Sequence, residues 1–376
     1  MMWQVFIEPN DVLLFRDGKP FVAGEDHRAK SLFPPTPFTM QGVIRSKVLF
    51  DSGVSPHDYA YAATPAAQGL IRRIGGVGSG YGQLQLRGPF VAKRNDDGSI
   101  TRYFPLPADV VKVNDRFVVA KPLRNSPCHD NSPATVRPLW VRTHESIKEV
   151  HGWLVEDEFK KYLAGQTDFC VTPESDLFVR EPRLGIALDY KRRSTEEGML
   201  YTMEFLRLRE GIGFVLEVDG IGVFTPQRGF LQVGGDARTA TYEVLQSPLP
   251  SVSSQNPLPK RFKIVLLTPA WFSGGWKPRD DDWGQFFNGA NVRLVAAAVP
   301  RAQSIGGAFA DDRQRSNHGN FQKTMRRFIP AGSVFFFDSD GSVTTSNKPF
   351  TETPDSEGDF GQIGFGGAIV TSWDYA

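Results

Sequence analysis

The chain has 376 residues, 40% hydrophobic and 23% charged, with a formal net charge of +1. That size and composition fit two globular domains, and the near-zero charge excludes a whole-protein electrostatic pull on nucleic acid. The longest apolar runs, such as Ile264–Leu267 and Leu294–Val299, fall far short of the ~20 residues of a membrane span, and Glu8 and Asp11 precede any apolar stretch that a signal peptide needs. A cytoplasmic protein with two reduced thiols, Cys128 and Cys170, is therefore expected.

The 37 glycines and 27 prolines predict many short strands joined by irregular loops. Trp3–Glu8 reads as a first strand, and Val12–Phe15 as a second after a turn at Pro9-Asn10. A polar loop, Arg16–Pro37, ends in Pro34, Pro35 and Pro37. Thr36 or Thr39 then caps a helix running to about Phe50, with Met40, Val43, Ile44, Val48 and Leu49 at helical spacing. Gly42, Arg45 and Ser46 fall on or near its other side. Residues 60–82, rich in Ala and Gly, read as a mobile loop.

Residues 84–124 read as several strands with a turn at Asn95–Gly98, and His144–Leu163 as a helix anchored by Trp153, Leu154, Phe159 and Leu163. Leu177–Leu188 is a strand followed by the basic group Lys191, Arg192 and Arg193. Met199–Leu208 and Gly213–Val218 are expected to form a hairpin around Arg209–Ile212. Pro248–Pro259, rich in Ser and Pro, is the linker candidate. Strands at Phe262–Thr268, Val292–Val299, Ser333–Asp338 and Ile363–Ser372 follow.

Four features can carry chemistry. Gly361, Gly364, Gly366 and Gly367 form a glycine-rich turn that can aim backbone N–H groups at phosphates. A strand follows it rather than a helix, so it is no dinucleotide fingerprint. Basic residues gather at Arg180–Arg193 and at Arg313–Arg327, the latter interleaved with Asn317, His318, Asn320 and Phe321, a mix that suits phosphates and splayed bases. The six histidines show no helical metal-binding spacing. Asp280–Asp282 and Asp311-Asp312 match no nuclease or polymerase pattern and read as solvated loop acids.

The order of several short segments is more specific than any of these. Glu8–Phe21, then Phe33–Pro37 and Gln41–Ser46, are followed by Arg183–Ile186, Glu197–Tyr201, Gly234–Arg238, Pro330–Phe337 and Gly361–Trp373. Together they resemble the family of the third subunit of the type III-B CRISPR Cmr complex, a RAMP protein. Asp236 stands where that family's G-G-E-x-R element has Glu, and Ile305–Ala308 departs from its expected G-W-D.

The resemblance implies an α+β RAMP fold of two ferredoxin-like (RRM-like) domains with long loop insertions, at residues 1–250 and 251–376. It implies a non-catalytic subunit without cofactor or metal. Such a subunit grips the 5′ repeat-derived tag of the CRISPR RNA (crRNA) and bridges the large polymerase/cyclase subunit to the adjacent backbone subunit. The expected RNA-facing residues are Arg16, Lys19, His27, Arg28 and Lys30 in the first loop and Gly42, Arg45 and Lys47 on the first helix. To these are added the amides of Gly361, Gly364, Gly366 and Gly367, with Arg192 and Arg238 as secondary positions. Two competing readings are a metal-independent processing endoribonuclease with His27 as general base, and a protein–protein adaptor with little RNA contact.

Overall fold

The computed structural model describes residues 2–16, 28–77, 80–124, 136–189, 194–235, 238–249, 257–307, 324–355 and 357–376, with 28, 187–189 and 194–199 described as backbone. Strand β1 (Trp3–Pro9) is apolar and buried on both faces, as a central strand must be. Three helices follow, α1 (Pro37–Asp51), α2 (Pro56–Tyr61) and α3 (Pro65–Ile74). Each opens the same way. A hydroxyl at the cap (Thr36, Ser55, Thr64) accepts from a first-turn N–H, and a proline follows it. Residues 60–61 and 65–74 are therefore helical where a loop was expected, because Ser55-Pro56 and Thr64-Pro65 each nucleate a helix.

Strands β2 (Gln85–Arg94), β3 (Ile100–Pro105) and β4 (Trp153–Val155) come next, then helix α4 (Glu156–Leu163). The helix expected from His144 starts only at Glu156. Trp153–Val155 is held in a ladder with Tyr103–Pro105, and the acids Glu156, Asp157 and Glu158 mark the true helix N-terminus. Next are β5 (Phe178–Asp189), β6 (Ser194–Leu208), β7 (Ile212–Asp219), β8 (Arg228–Gln232) and β9 (Thr239–Val244).

Among the described residues, seven strands form an antiparallel sheet in the order β4-β3-β2-β7-β1-β9-β8. Met199–Leu208 and Gly213–Val218 do not form the expected hairpin. β6 pairs with β5 along almost its whole length, and β7 pairs with β1 and β2. β7 is buried on both faces, so its place is the sheet centre and not a solvated arm. Val12–Phe15 makes a single bridge, Leu13 to Leu206, rather than a strand.

Four later strands, β10 (Arg261–Leu266), β11 (Val292–Ala298), β12 (Val334–Ser339) and β13 (Ala368–Ser372), form a second antiparallel sheet in the order β11-β12-β10-β13. Among the described residues from 257 onward there is no α-helix. The described residues thus form a mixed α/β structure, mostly strands with few helices, in several sheets.

Both faces of the smaller sheet are covered. Phe262, Ile264 and Leu266 pack under loops carrying Phe272, Trp283, Phe286 and Phe350. Val265, Phe336 and Ile369 on the other face meet Phe104, Leu154 and Phe159 from β3, β4 and α4. Lys263 lies on that second face. Its Nζ donates to Asp109 Oδ2 at 2.7 Å and to the Tyr162 hydroxyl at 2.7 Å, and the Tyr162 hydroxyl donates to Asp109 Oδ1 at 2.8 Å. All three side chains are buried. Burial and the Asp109 carboxylate hold the Tyr162 phenol far above its usual range, so it stays a donor.

Removing one member of a buried pair leaves a stranded charge and costs about 3–5 kcal/mol. Lys263→Met is expected to lose stability of that order in urea unfolding of the full chain. Lys263→Met combined with Asp109→Leu is expected to recover part of the loss. A single-variant cost under about 1 kcal/mol would show that the triad does not hold the sheets together.

Candidate nucleic-acid interface

Helix α1 buries Met40, Val43, Ile44 and Val48 against the large sheet. Its opposite face borders a cleft of about 610 Å³, lined by Arg16, Thr39, Gln41, Gly42, Arg45 and Ser46, with Tyr59, Tyr81, Gly234, Gly235 and Glu357 on the other walls. A Cβ added to Gly42 would meet nothing within 4 Å, so the helix surface there is open.

Arg45 is the centre of this cleft. Its Nη1 donates to Gln41 Oε1 at 3.2 Å, and its Nη2 reaches the Tyr59 hydroxyl at 3.0 Å and the carbonyls of Gly75 and Gly76 at 3.3 and 2.7 Å. Tyr59 in turn donates to Gly75 O. Every acceptor is neutral, and no carboxylate pairs with Arg45 among the described residues. The guanidinium is thus fixed in place with no carboxylate paired to it among the described residues, an arrangement that suits attraction of an anion. Burial pushes the Tyr81 phenol up to about 12, with Arg45 opposing and Glu357 adding to the shift, so Tyr81 presents a neutral hydroxyl. Glu357 is itself held by Arg326 at 2.8 Å.

The structure brings Arg16, Gly42 and Arg45 of the expected residues together here. Lys47 lies elsewhere. Two residues along a helix turn the side chain by about 200°. Lys47 accordingly pairs with Asp51 at 2.6 Å and sits 5.2 Å from the Tyr242 ring, only 12% exposed. Lys30 is exposed. Arg28 pairs through its backbone with Thr202. Arg238 is ion-paired with Asp11 at 3.2 Å and stacked 5.3 Å from the Phe205 ring. Lys19, His27, Arg192 and Cys128 lie outside the described residues, as do Asp236 and most of the Arg313–Arg327 cluster.

The glycine-rich turn does not offer its amides to a ligand. Gly361 N–H donates to Asp359 Oδ1, Gly364 N–H to Gly361 O, Gly366 N–H to Pro269 O and Gly367 N–H to Thr268 Oγ1. These glycines serve close chain approach instead. Gly364 has φ +108°, and a Cβ there would lie 2.5 Å from Gly88 O of strand β2. Sequence reasoning missed Gln41, Tyr59, Tyr81 and Glu357. For Gln41 the i, i+4 spacing to Arg45 was available, and for Tyr59 the Ser55-Pro56 helix start.

Among the described residues, no group of three or more His, Cys, Asp or Glu is placed to hold a metal, and no helix is long and apolar enough to cross a membrane.

The family model described as "CRISPR-associated protein (Cas_Cmr3)" matches residues 5–373, nearly the whole chain. The chain belongs to the Cas_Cmr3 family. It is a CRISPR-associated Cmr subunit, as the ordered sequence segments implied. Among solved structures, one chain of a Type III-B Cmr-beta complex bound to cognate target RNA aligns with this Cas_Cmr3-family chain at TM-score 0.43 and 15% identity. That alignment covers 91% of this chain and 86% of the other. A chain of the Csm3-Csm4 subcomplex of the type III-A CRISPR-Cas interference complex aligns at TM-score 0.39 and 13% identity, covering 92% and 96%. A search of curated proteins found no match.

Amides engaged inside the chain exchange slowly whether or not a ligand is present. Hydrogen exchange over residues 360–368 is therefore expected to be protected in the RNA-free protein and unchanged when RNA is added. Fast exchange that slows only with RNA would restore the turn as a phosphate ligand.

Proposed function

We propose that this chain is a non-catalytic guide-RNA-binding subunit of a type III-B effector, holding the 5′ repeat-derived tag of the crRNA in the cleft beside α1. In this reading it bridges the large polymerase/cyclase subunit to the adjacent backbone RAMP subunit, and works in the cytoplasm in antiviral defence. The chain divides into domains at 1–250 and 251–376, each carrying one of the two main sheets.

The observation that supports this reading best is that no carboxylate pairs with Arg45 among the described residues. Several other arginines are matched by acids, among them Arg180 with Glu204, Arg228 with Glu243 and Arg261 with Asp374. With a net charge of +1, the chain attracts polyanions only where a cation is left unpaired. Arg45 is such a place. The neighbouring Thr39, Gln41 and Ser46 add neutral groups able to hydrogen-bond bases or sugars. A half-enclosed cleft of this kind suits a single strand, whose backbone can bend and whose bases can splay, better than a duplex.

The test is photocrosslinking of the assembled effector to guide RNA with photoreactive bases in its 5′ tag, read by mass spectrometry. Adducts are expected on the residues of the cleft, Arg16 and the 39–46 face of α1 above all. Adducts confined to other subunits would remove the capping role and favour a protein–protein adaptor. Metal-free cleavage of repeat RNA by the purified chain, abolished by His27→Ala, would instead mark a processing enzyme.

A further inference from the structure

The glycine-rich turn touches the cleft in a way its amides do not reveal. Phe38, in the first turn of α1, is enclosed by rings from the C-terminal half. Its ring centroid lies 4.8 Å from Phe365, 5.2 Å from Phe360 and 6.1 Å from Phe328, all edge-on. Phe328 and Phe365 stack on each other at 4.8 Å. Ile363 completes the cluster, and Phe328, Phe360, Ile363 and Phe365 are all buried.

The turn is itself tied down at several points. Phe365 N–H donates to Phe360 O, closing the turn. Gln362 donates to the carbonyls of Gly82 at 2.8 Å and Leu84 at 2.9 Å. Gly358, just before it, packs so closely on Tyr81 that a Cβ would lie 2.8 Å from that ring.

The helix carries this contact to the cleft. Phe38, Gln41, Gly42 and Arg45 stand at i, i+3, i+4 and i+7, one stripe of the helix surface. The stripe begins in the aromatic clasp and ends at the cleft cation. A rigid helix has no joint between those points, so a shift at Phe38 moves Arg45 away from the carbonyls that fix it.

We infer that the 360–367 turn is a positioning element for RNA binding: it sets the angle of α1, and through it Arg45, without contacting RNA itself. Phe365 and Phe360 are its positioning residues and Phe38 is the relay. This rests on the cleft being the RNA site, and the experiment separates the two claims.

The readout is the salt dependence of affinity. For single strands, log K falls with log salt by about 0.7 per phosphate neutralised. The full-length chain is titrated with fluorescein-labelled single-stranded RNA carrying the repeat-derived 5′ tag, over a series of potassium chloride concentrations. Arg45→Ala is expected to reduce the slope by about 0.7. Phe365→Ala changes no charge, yet is expected to reduce it by a similar amount, and the double variant to reduce it no further. Loss of folded structure lowers the active fraction but leaves the slope alone, so it cannot imitate this result.

A parental slope in Phe365→Ala beside a reduced slope in Arg45→Ala would overturn the inference and leave the RNA site standing. A parental slope in Arg45→Ala would remove both. If Phe365→Ala does not fold, Phe38→Leu keeps most of the buried volume while removing the edge-on ring contacts. It is expected to give the same slope loss, and a parental slope there would overturn the inference equally.

Discussion

Lys263 and Asp109 meet at 2.7 Å where their side chains are 7% and 0% exposed. Each ion there has lost hydration worth several kcal/mol, which only a close partner and further hydrogen bonds offset. The Tyr162 hydroxyl completes the set by accepting from Lys263 and donating to Asp109. The lysine stands on β10, while the acid and the phenol come from the first half of the chain. Apolar contacts between Phe104, Phe159, Phe336 and Trp373 alone would tolerate some sliding of one sheet over the other. Hydrogen bonds weaken steeply off-axis, so the triad is satisfied in one relative placement of the two sheets.

That placement determines what the C-terminal segment can reach. With the sheets fixed, Gly364 lies against Gly88 O, and Gln362 reaches the carbonyls that follow α3. From there Phe360 and Phe365 reach Phe38, and Gly358 and Glu357 line the cleft opposite Arg45. The cleft is therefore composite, with a floor from residues 39–46 and a wall from residues far along the chain. A ligand bound across it favours the joined arrangement of the two halves, because anything that binds only the assembled form stabilises that form.

Much of this was legible in the sequence where the signal is local. The first helix could be placed because Thr36, Pro37 and the spacing of Met40, Val43, Ile44 and Val48 agree. The same cap-and-proline signature at Ser55-Pro56 and Thr64-Pro65 was masked by the glycine and alanine content of residues 60–82. Strand partners were not legible. Met199–Leu208 and Gly213–Val218 lie close in sequence and invite a hairpin, yet β7 is drawn to the sheet centre by contacts with β1 and β2 from much earlier in the chain. Lys47 was grouped with Arg45 by proximity, although helical geometry puts the two on different faces. The glycine-rich turn shows the deepest ambiguity. Absence of a Cβ allows a phosphate to approach a backbone, and equally allows another backbone to do so. Only the tertiary structure distinguishes these, and here Gly88, Pro349 and Thr351 occupy the space.

The charge distribution constrains how such a cleft would select RNA in the proposed role. One fixed cation draws in a phosphate but carries no base information, since phosphate contacts position and base contacts specify. Discrimination then falls to the shape of the cleft and to its neutral polar groups. Thr39, Gln41 and Ser46 share the open side of α1, and the Tyr81 phenol keeps its proton throughout the physiological range. Such groups act over hydrogen-bond distances and are little screened by salt. In the proposed role, a nearly neutral protein built this way would hold RNA through geometry more than through attraction, and that geometry is the product of two sheets locked together by a lysine, an aspartate and a tyrosine.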